Sequence, residues 1–137
     1  MKKAFVVVGK HYSGKSRTLR DYLKPRLNMG NGRYFTRNGQ SGCVLVQSCE
    51  EAEADLKDRI EKYSGYDYLV LAARPANELP SYQLELEAEL KKVGYQVKTL
   101  HIVKPKQESL ADEYYGGIAD EIIAYLDSPA KKAASGS

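Results

Sequence analysis

The chain has 137 residues, 42% of them hydrophobic, with 21 Lys and Arg against 18 Asp and Glu for a formal net charge of +3. That length suits one domain with a substantial core, and no stretch stays apolar for the roughly 20 residues a membrane span needs. Its two cysteines, Cys43 and Cys49, are too few for a disulfide framework and lack metal-ligand spacing, so free thiols in a reducing cytoplasm are expected.

Met1-Lys2-Lys3 leads into a short apolar run, Ala4 to Val8, which reads as a buried first strand and not as a signal peptide. Directly after it, Gly9-Lys10-His11-Tyr12-Ser13-Gly14-Lys15-Ser16 fits G-x-x-x-x-G-K-[ST]. Residues 15–28 read as a helix, with Leu19, Leu23 and Leu27 on one face, Pro25 interrupting late, and Gly30 or Gly32 as the stop. Arg33 to Arg37, then Asn38-Gly39, then Gln40 to Gln47 predict a β-hairpin whose return strand continues into the main sheet. A helix is expected across about 50–63, with Ala52, Leu56 and Ile60 inward, and a buried strand from Tyr66 to Ala73. Pro80 opens a third helix with Leu86, Leu90 and Val93 inward, ended by Gly94. Tyr95 to Val103 is the next strand. A last helix runs from Ser109 to Leu126 on Leu110, Tyr114, Ile118, Ile122 and Leu126, weakened at Gly116-Gly117.

Strands alternating with helices predict an α/β fold: a mostly parallel sheet, helices on both faces, and ligands at the C-terminal strand ends. Residues 1–127 are expected to form a single domain. Residues 128–137, rich in Ala, Lys, Ser and Gly, are expected to be disordered.

The octapeptide, strand before and helix after, resembles the Walker A motif of the P-loop NTPases; the resemblance is sharp over residues 4–20 and architectural beyond. It implies a three-layer P-loop fold and a nucleoside triphosphate held with Mg²⁺. Gly9, Lys10, His11, Tyr12, Ser13 and Gly14 would form the loop around the β-phosphate, helped by the helix dipole. Lys15 would bridge the β- and γ-phosphates, Ser16 would bind Mg²⁺, and the N–H groups of Arg17 and Thr18 would neighbour the α-phosphate. GTP-binding proteins would add D-x-x-G and [NT]-K-x-D; neither is present, so ATP is preferred, with Lys104 to Gln107 passing near the base. No arginine-rich lid follows Arg74.

The acid that normally ends a second strand is out of place. In Tyr66-Asp67-Tyr68-Leu69-Val70-Leu71-Ala72-Ala73-Arg74 the carboxylate comes at the start, which marks Asp67 as a turn or edge residue. Glu50 and Glu51 follow the neighbouring strand. Ser48-x-x-Glu51 reads as a capping box, while Glu50 is the freer candidate for orienting an acceptor. Arg74 is either a charge-stabilising arginine near the γ-phosphate or an ordinary strand-end residue. Arg33 and Arg37, on one hairpin face with Phe35, either bind a small anionic acceptor or protect a sheet edge. His11 and Tyr12 would touch a ligand from the loop's rim, and neither His11 nor His101 belongs to a metal pattern. The tyrosine clusters read as packing.

Charge is segregated. Residues 1–40 hold ten Lys and Arg against the lone acid Asp21, whereas residues 41–127 hold nine against seventeen acids. Such a basic third suits a polyphosphate and a second anionic substrate, or is a solvated face. No recognised nucleic-acid module accompanies it, which weighs against nucleic acid. Two functions follow: an ATP-dependent, kinase-like phosphotransferase using Lys15, Arg74 and Glu50, or an ATP-binding switch that hydrolyses slowly or not at all.

Overall fold

A computed structural model of the chain describes residues 2–10, 13–48, 50, 55–75, 77 and 81–128. The expectations for His11, Tyr12, Cys49, Glu51, Ala52, Pro80 and the tail beyond Ser128 lie outside the described residues.

A five-stranded sheet organises the chain. Its strands are β1 (Lys3–Val8), β2 (Tyr34–Arg37), β3 (Gln40–Leu45), β4 (Tyr68–Ala73) and β5 (Gln96–His101), in the spatial order β2-β3-β4-β1-β5. The pairs β3–β4, β4–β1 and β1–β5 are parallel, with Lys3 opposite Tyr68 and Gln96, and Val8 opposite Ala73 and His101. Only the β2–β3 hairpin is antiparallel. Its turn is Asn38-Gly39, with φ of 55° and 73°, the left-handed pair that a two-residue hairpin needs. The α/β class and the hairpin feeding the main sheet are therefore as the sequence predicts.

Helices cover both faces. Helix α1 is one continuous rod: an α turn Lys15–Arg17, a π segment Thr18–Leu23 and a second α turn Lys24–Arg26. Its Leu19 and Leu23 pack with Phe5, Val7, Val44 and Val70 beneath the long C-terminal helix. The wider π turn absorbs the drift that a strict four-residue leucine spacing accumulates at 3.6 residues per turn. Asn28, at φ 57°, follows the rod in the left-handed conformation, earlier than the Gly30 or Gly32 stop the sequence suggested. On the opposite face, α2 (Leu56–Tyr63) and α3 (Gln83–Lys92) bring Ile60, Tyr63, Leu86 and Leu90 against Val6, Val8, Cys43, Leu45, Leu69 and Leu71. Strands buried on both faces need continuous apolar sequence, which β1 and β4 supply. Burial pushes the Cys43 thiol up to about 11, so it stays a neutral core side chain.

Three element readings change. Of the helix expected across 50–63, Glu50 is helical and Leu56–Tyr63 forms α2, but Asp55 before α2 is extended and its carboxylate caps Asp58 N–H at 3.0 Å. Helix α3 starts at Gln83. The last helix, α4 (Ala111–Asp127), follows a 3₁₀ turn at Glu108–Leu110; Ile118, Ile122 and Leu126 face inward as expected, Tyr114 is only partly buried, and the first half of the stripe shifts to Ala111 and Tyr115. Ala111, Tyr115, Ile118, Ala119, Ile122 and Leu126 are buried, whereas Leu110 is 48% exposed. Stepping by fours from Leu126 back to Leu110 overshoots a 3.6-residue period, and two alanines hid the true face. Gly116-Gly117 does not break α4; Gly116 is where the helix passes close to Arg26 and Tyr22 of α1.

Opposite the loop end of the sheet, Lys3 closes the structure. Its buried ammonium donates to the carbonyls of Tyr125, Leu126 and Ser128, capping the C-terminus of α4. No helix of the described residues is long and apolar enough to cross a membrane.

Candidate functional site

The C-terminal strand ends converge on the turn between β1 and α1. Gly9 N–H donates to Ala73 O at 3.1 Å and Ile102 N–H to Val8 O at 2.7 Å, so the tips of β4 and β5 flank the turn's first residue. Ser13 N–H then folds back on Lys10 O at 2.9 Å. Gly14 adopts φ 104°, a left-handed conformation that strains any residue with a Cβ. Both the N–H and the hydroxyl of Thr18 donate to Gly14 O, at 2.8 and 2.7 Å. Thr18 is thus the first residue to close a helical bond, and the N–H groups of Lys15, Ser16 and Arg17 come before any intrahelical acceptor.

Tyr115 sets the orientation of the peptide before Gly14. It is 2% exposed, and its hydroxyl donates to Ser13 O at 3.0 Å. Its ring lies so close under Gly14 that an added Cβ would sit 2.4–2.6 Å from it. Because a trans peptide sets C=O and N–H antiparallel, holding the Ser13 carbonyl against α4 turns Gly14 N–H the opposite way, out of the core. The sequence reading missed this residue, since its stripe ran through Tyr114. The signal was the 111-115-118-122-126 spacing.

A cavity of about 620 Å³ lies over this helix start. Ser13 to Arg17 line it together with Lys10, Arg20, Lys104, Glu108 and Tyr115, so five cationic side chains meet one carboxylate. Lys15 is 4% exposed, and its ammonium donates to Gly9 O. Arg17 lies over the Tyr115 ring at 5.3 Å and pairs with Glu108 at 2.6 Å. That hydrogen bond holds the Glu108 carboxyl below its ordinary range and raises Arg17. Glu108 is the second participant that sequence reasoning did not single out, because it arrives from the 3₁₀ turn before α4. A polyphosphate fits this donor set: successive first-turn N–H groups, a buried ammonium, and surplus positive charge. Ser16, half-buried in the same lining, is the hydroxyl available to a cation there.

The remaining candidates separate. Glu50 is 7% exposed; its Oε2 accepts from Tyr82 N–H at 2.6 Å and Arg74 N–H at 3.2 Å. Its buried Oε1 has no hydrogen-bond partner among the described residues. It therefore ties the start of α3 to the tip of β4, one residue from the Ala73 carbonyl that holds Gly9. Arg74 is half-buried at that tip, its carbonyl accepting from Ser81 Oγ at 2.9 Å. Asp67 sits at the opposite end of the sheet, its carbonyl bound by Lys3 N–H, as its position in the sequence implied.

The hairpin arginines do not share a face or a neighbourhood. Arg33 precedes β2 and donates to Tyr63 Oη at 2.7 Å on the α2 side. Arg37 makes a two-pronged pair with Asp127, at 2.7 and 2.8 Å, at the sheet end away from the loop. Tyr63 and Tyr68 are buried, and Tyr34 stacks on Tyr66, so these tyrosines pack. Among the described residues no three His, Cys, Asp or Glu side chains come together as a metal-binding group.

Beside the first cavity lies a second, of about 680 Å³, over the ends of β1, β4 and β5. Val8, Gly9, Pro75, Asn77, His101, Ile102 and Val103 line it, and Lys10, Ser13 and Lys104 belong to both. Comparisons with protein-family models, with curated proteins and with solved structures return no match to this chain, so its functional reading rests on these residues and their geometry.

Proposed function

We propose that the chain binds a nucleoside triphosphate, ATP with Mg²⁺, through Gly9 to Thr18 in the manner of P-loop NTPases, and acts as a small kinase-like phosphotransferase. The observation that carries this reading is Lys15, an ammonium 4% exposed beneath the cavity that covers the helix start. A phosphate chain at this helix N-terminus would lie against that ammonium and the first-turn N–H groups together. Lys15 would span the β- and γ-phosphate oxygens, and Arg17 N–H would meet the α-phosphate, whereas Thr18 N–H, expected there from the sequence, is bonded to Gly14 O. Ser16 would hold Mg²⁺, which supplies charge neutralisation on the phosphates. Arg74 would offset charge at the β4 tip, and the unpartnered Oε1 of Glu50 would orient an acceptor hydroxyl.

A second reading, an ATP-binding switch with little or no turnover, is favoured by Glu50 itself. Its other oxygen is committed to two backbone N–H groups, and the β4 tip offers Ala72, Ala73 and Arg74 in place of an acid.

Calorimetry with ATP, with and without Mg²⁺, followed by ADP-release assays on nucleosides, nucleotides and sugars, separates the two. Lys15→Ala is expected to abolish binding; ATP binding unchanged in that variant would end the phosphate-loop reading. Tight binding with no ADP release on any acceptor would leave the switch. If Arg74 and Glu50 act on transferring charge, their alanine variants lower turnover more than affinity.

A further inference from the structure

The second cavity borders the phosphate loop through Gly9, Lys10 and Ser13, yet its apolar part has no place in the phosphate-binding scheme, and it is as large as the first. Its floor is apolar, with Val8 and Ile102 buried, and its wall carries Val103, a β-branched side chain left 67% exposed. Lys10, Lys104 and His101 stand around it, and no Asp or Glu is among its described lining residues. Ser13 contributes the remaining polar group. The residue is 6% exposed, and its Oγ has no hydrogen-bond partner among the described residues, a costly state for a buried hydroxyl.

We propose that this cavity binds a small organic anion with an apolar body, such as an aryl-alkyl carboxylate. The apolar body covers Val103 and the floor, a gain that a bare phosphate or a sugar would not obtain. The anionic end is answered by lysines with no competing carboxylate among the described lining residues, and Ser13 Oγ gains an acceptor. Lys10, Ser13 and Lys104 also line the phosphate cavity, so the ligand would lie directly beside whatever that loop holds. Val103 and Ile102 line only this cavity, so its apolar contacts are separate from the phosphate loop while its polar ones are shared with it.

The test is an amide ¹H–¹⁵N titration of the full chain with 4-phenylbutanoate, its neutral counterpart 4-phenylbutan-1-ol, and acetate. The carboxylate is expected to shift Asn77, Ile102 and Val103 saturably and to bind about tenfold tighter than the alcohol; acetate should leave those amides in place. Val103→Asp changes an exposed side chain, so folding is retained while a carboxylate now faces the cavity. It should weaken 4-phenylbutanoate about tenfold or more and leave Mg-ATP affinity unchanged. Lys104→Gln should weaken the acid and spare the alcohol. Equal binding of acid and alcohol, shifts confined to Gly14–Thr18, no shifts, or indifference to Val103→Asp would each overturn the proposal. Loss of ATP binding alone, in the Lys15→Ala chain, would not touch it.

Discussion

Gly14→Ala is expected to cost the fold about 3 kcal/mol, from two sources that can be measured apart. The first is backbone strain: an alanine at φ 104° meets the left-handed penalty of about 1–2 kcal/mol. The second is collision, because the new methyl would lie 2.4 Å from Tyr115 Oη, 2.5 Å from Cζ and 2.6 Å from Cε1. Forcing a buried ring aside costs about 1–3 kcal/mol. Urea denaturation of wild type, Gly14→Ala, Tyr115→Leu and the double variant isolates the second term. In the Tyr115→Leu background the alanine should cost only the backbone share, giving a coupling of about 1–2 kcal/mol. Tyr115→Phe should give no such relief, since Cζ and Cε1 stay where they are. Additivity within about 0.5 kcal/mol would refute the close packing of Tyr115 under Gly14, and with it the orientation of the Gly14 peptide.

Three further outcomes follow from contacts elsewhere. Hydrogen bonds from Arg37 hold the Asp127 carboxyl at about 2, against an ordinary 3.8. The stability this provides is present above pH 4 and is lost as pH falls toward 2. The two side chains are 38% and 31% exposed, so water screens the pair and about 1 kcal/mol is expected. Asp127→Asn should flatten that part of an acid titration of stability, and an unchanged profile would refute the assignment. Glu50→Ala strips the N–H groups of Arg74 and Tyr82 of their acceptor and should destabilise by about 2–4 kcal/mol. Glu50→Gln keeps an acceptor oxygen and should recover most of it in the same melt; equal losses would refute the N–H bridging role. Gly117 is exposed on α4 with nothing within 4 Å of an added Cβ. Gly117→Ala should therefore stabilise by about 1 kcal/mol and raise the melting temperature by about 4 °C; a decrease would mean that position is not free helix surface.

What the residues alone determined is everything that depends on local chemistry or on period. The apolar runs at Ala4–Val8 and Leu69–Ala73 could only be strands buried on both faces, and Asn38-Gly39 could only be a tight hairpin. The spacing of Gly9, Gly14 and Lys15 placed a conformationally permissive glycine and a lysine at a strand-to-helix turn; the burial of Lys15 came from the packing. Each is legible because the cause lies within a few neighbouring positions. What the tertiary structure decided is which distant groups meet. Tyr115 reaches Ser13 across 102 positions and Arg37 reaches Asp127 across 90. Glu50 turns its carboxylate to Tyr82 N–H rather than simply facing outward. Arg33 and Arg37 fall on different sides because β2 begins only at Tyr34. None of these can be read from a sequence, because a side chain's partner is set by how the sheet orders its strands and how α4 lies across them. The octapeptide pattern is the basis of the proposed chemistry; the packing around it determined how its peptide is held and opened the apolar cavity at its side.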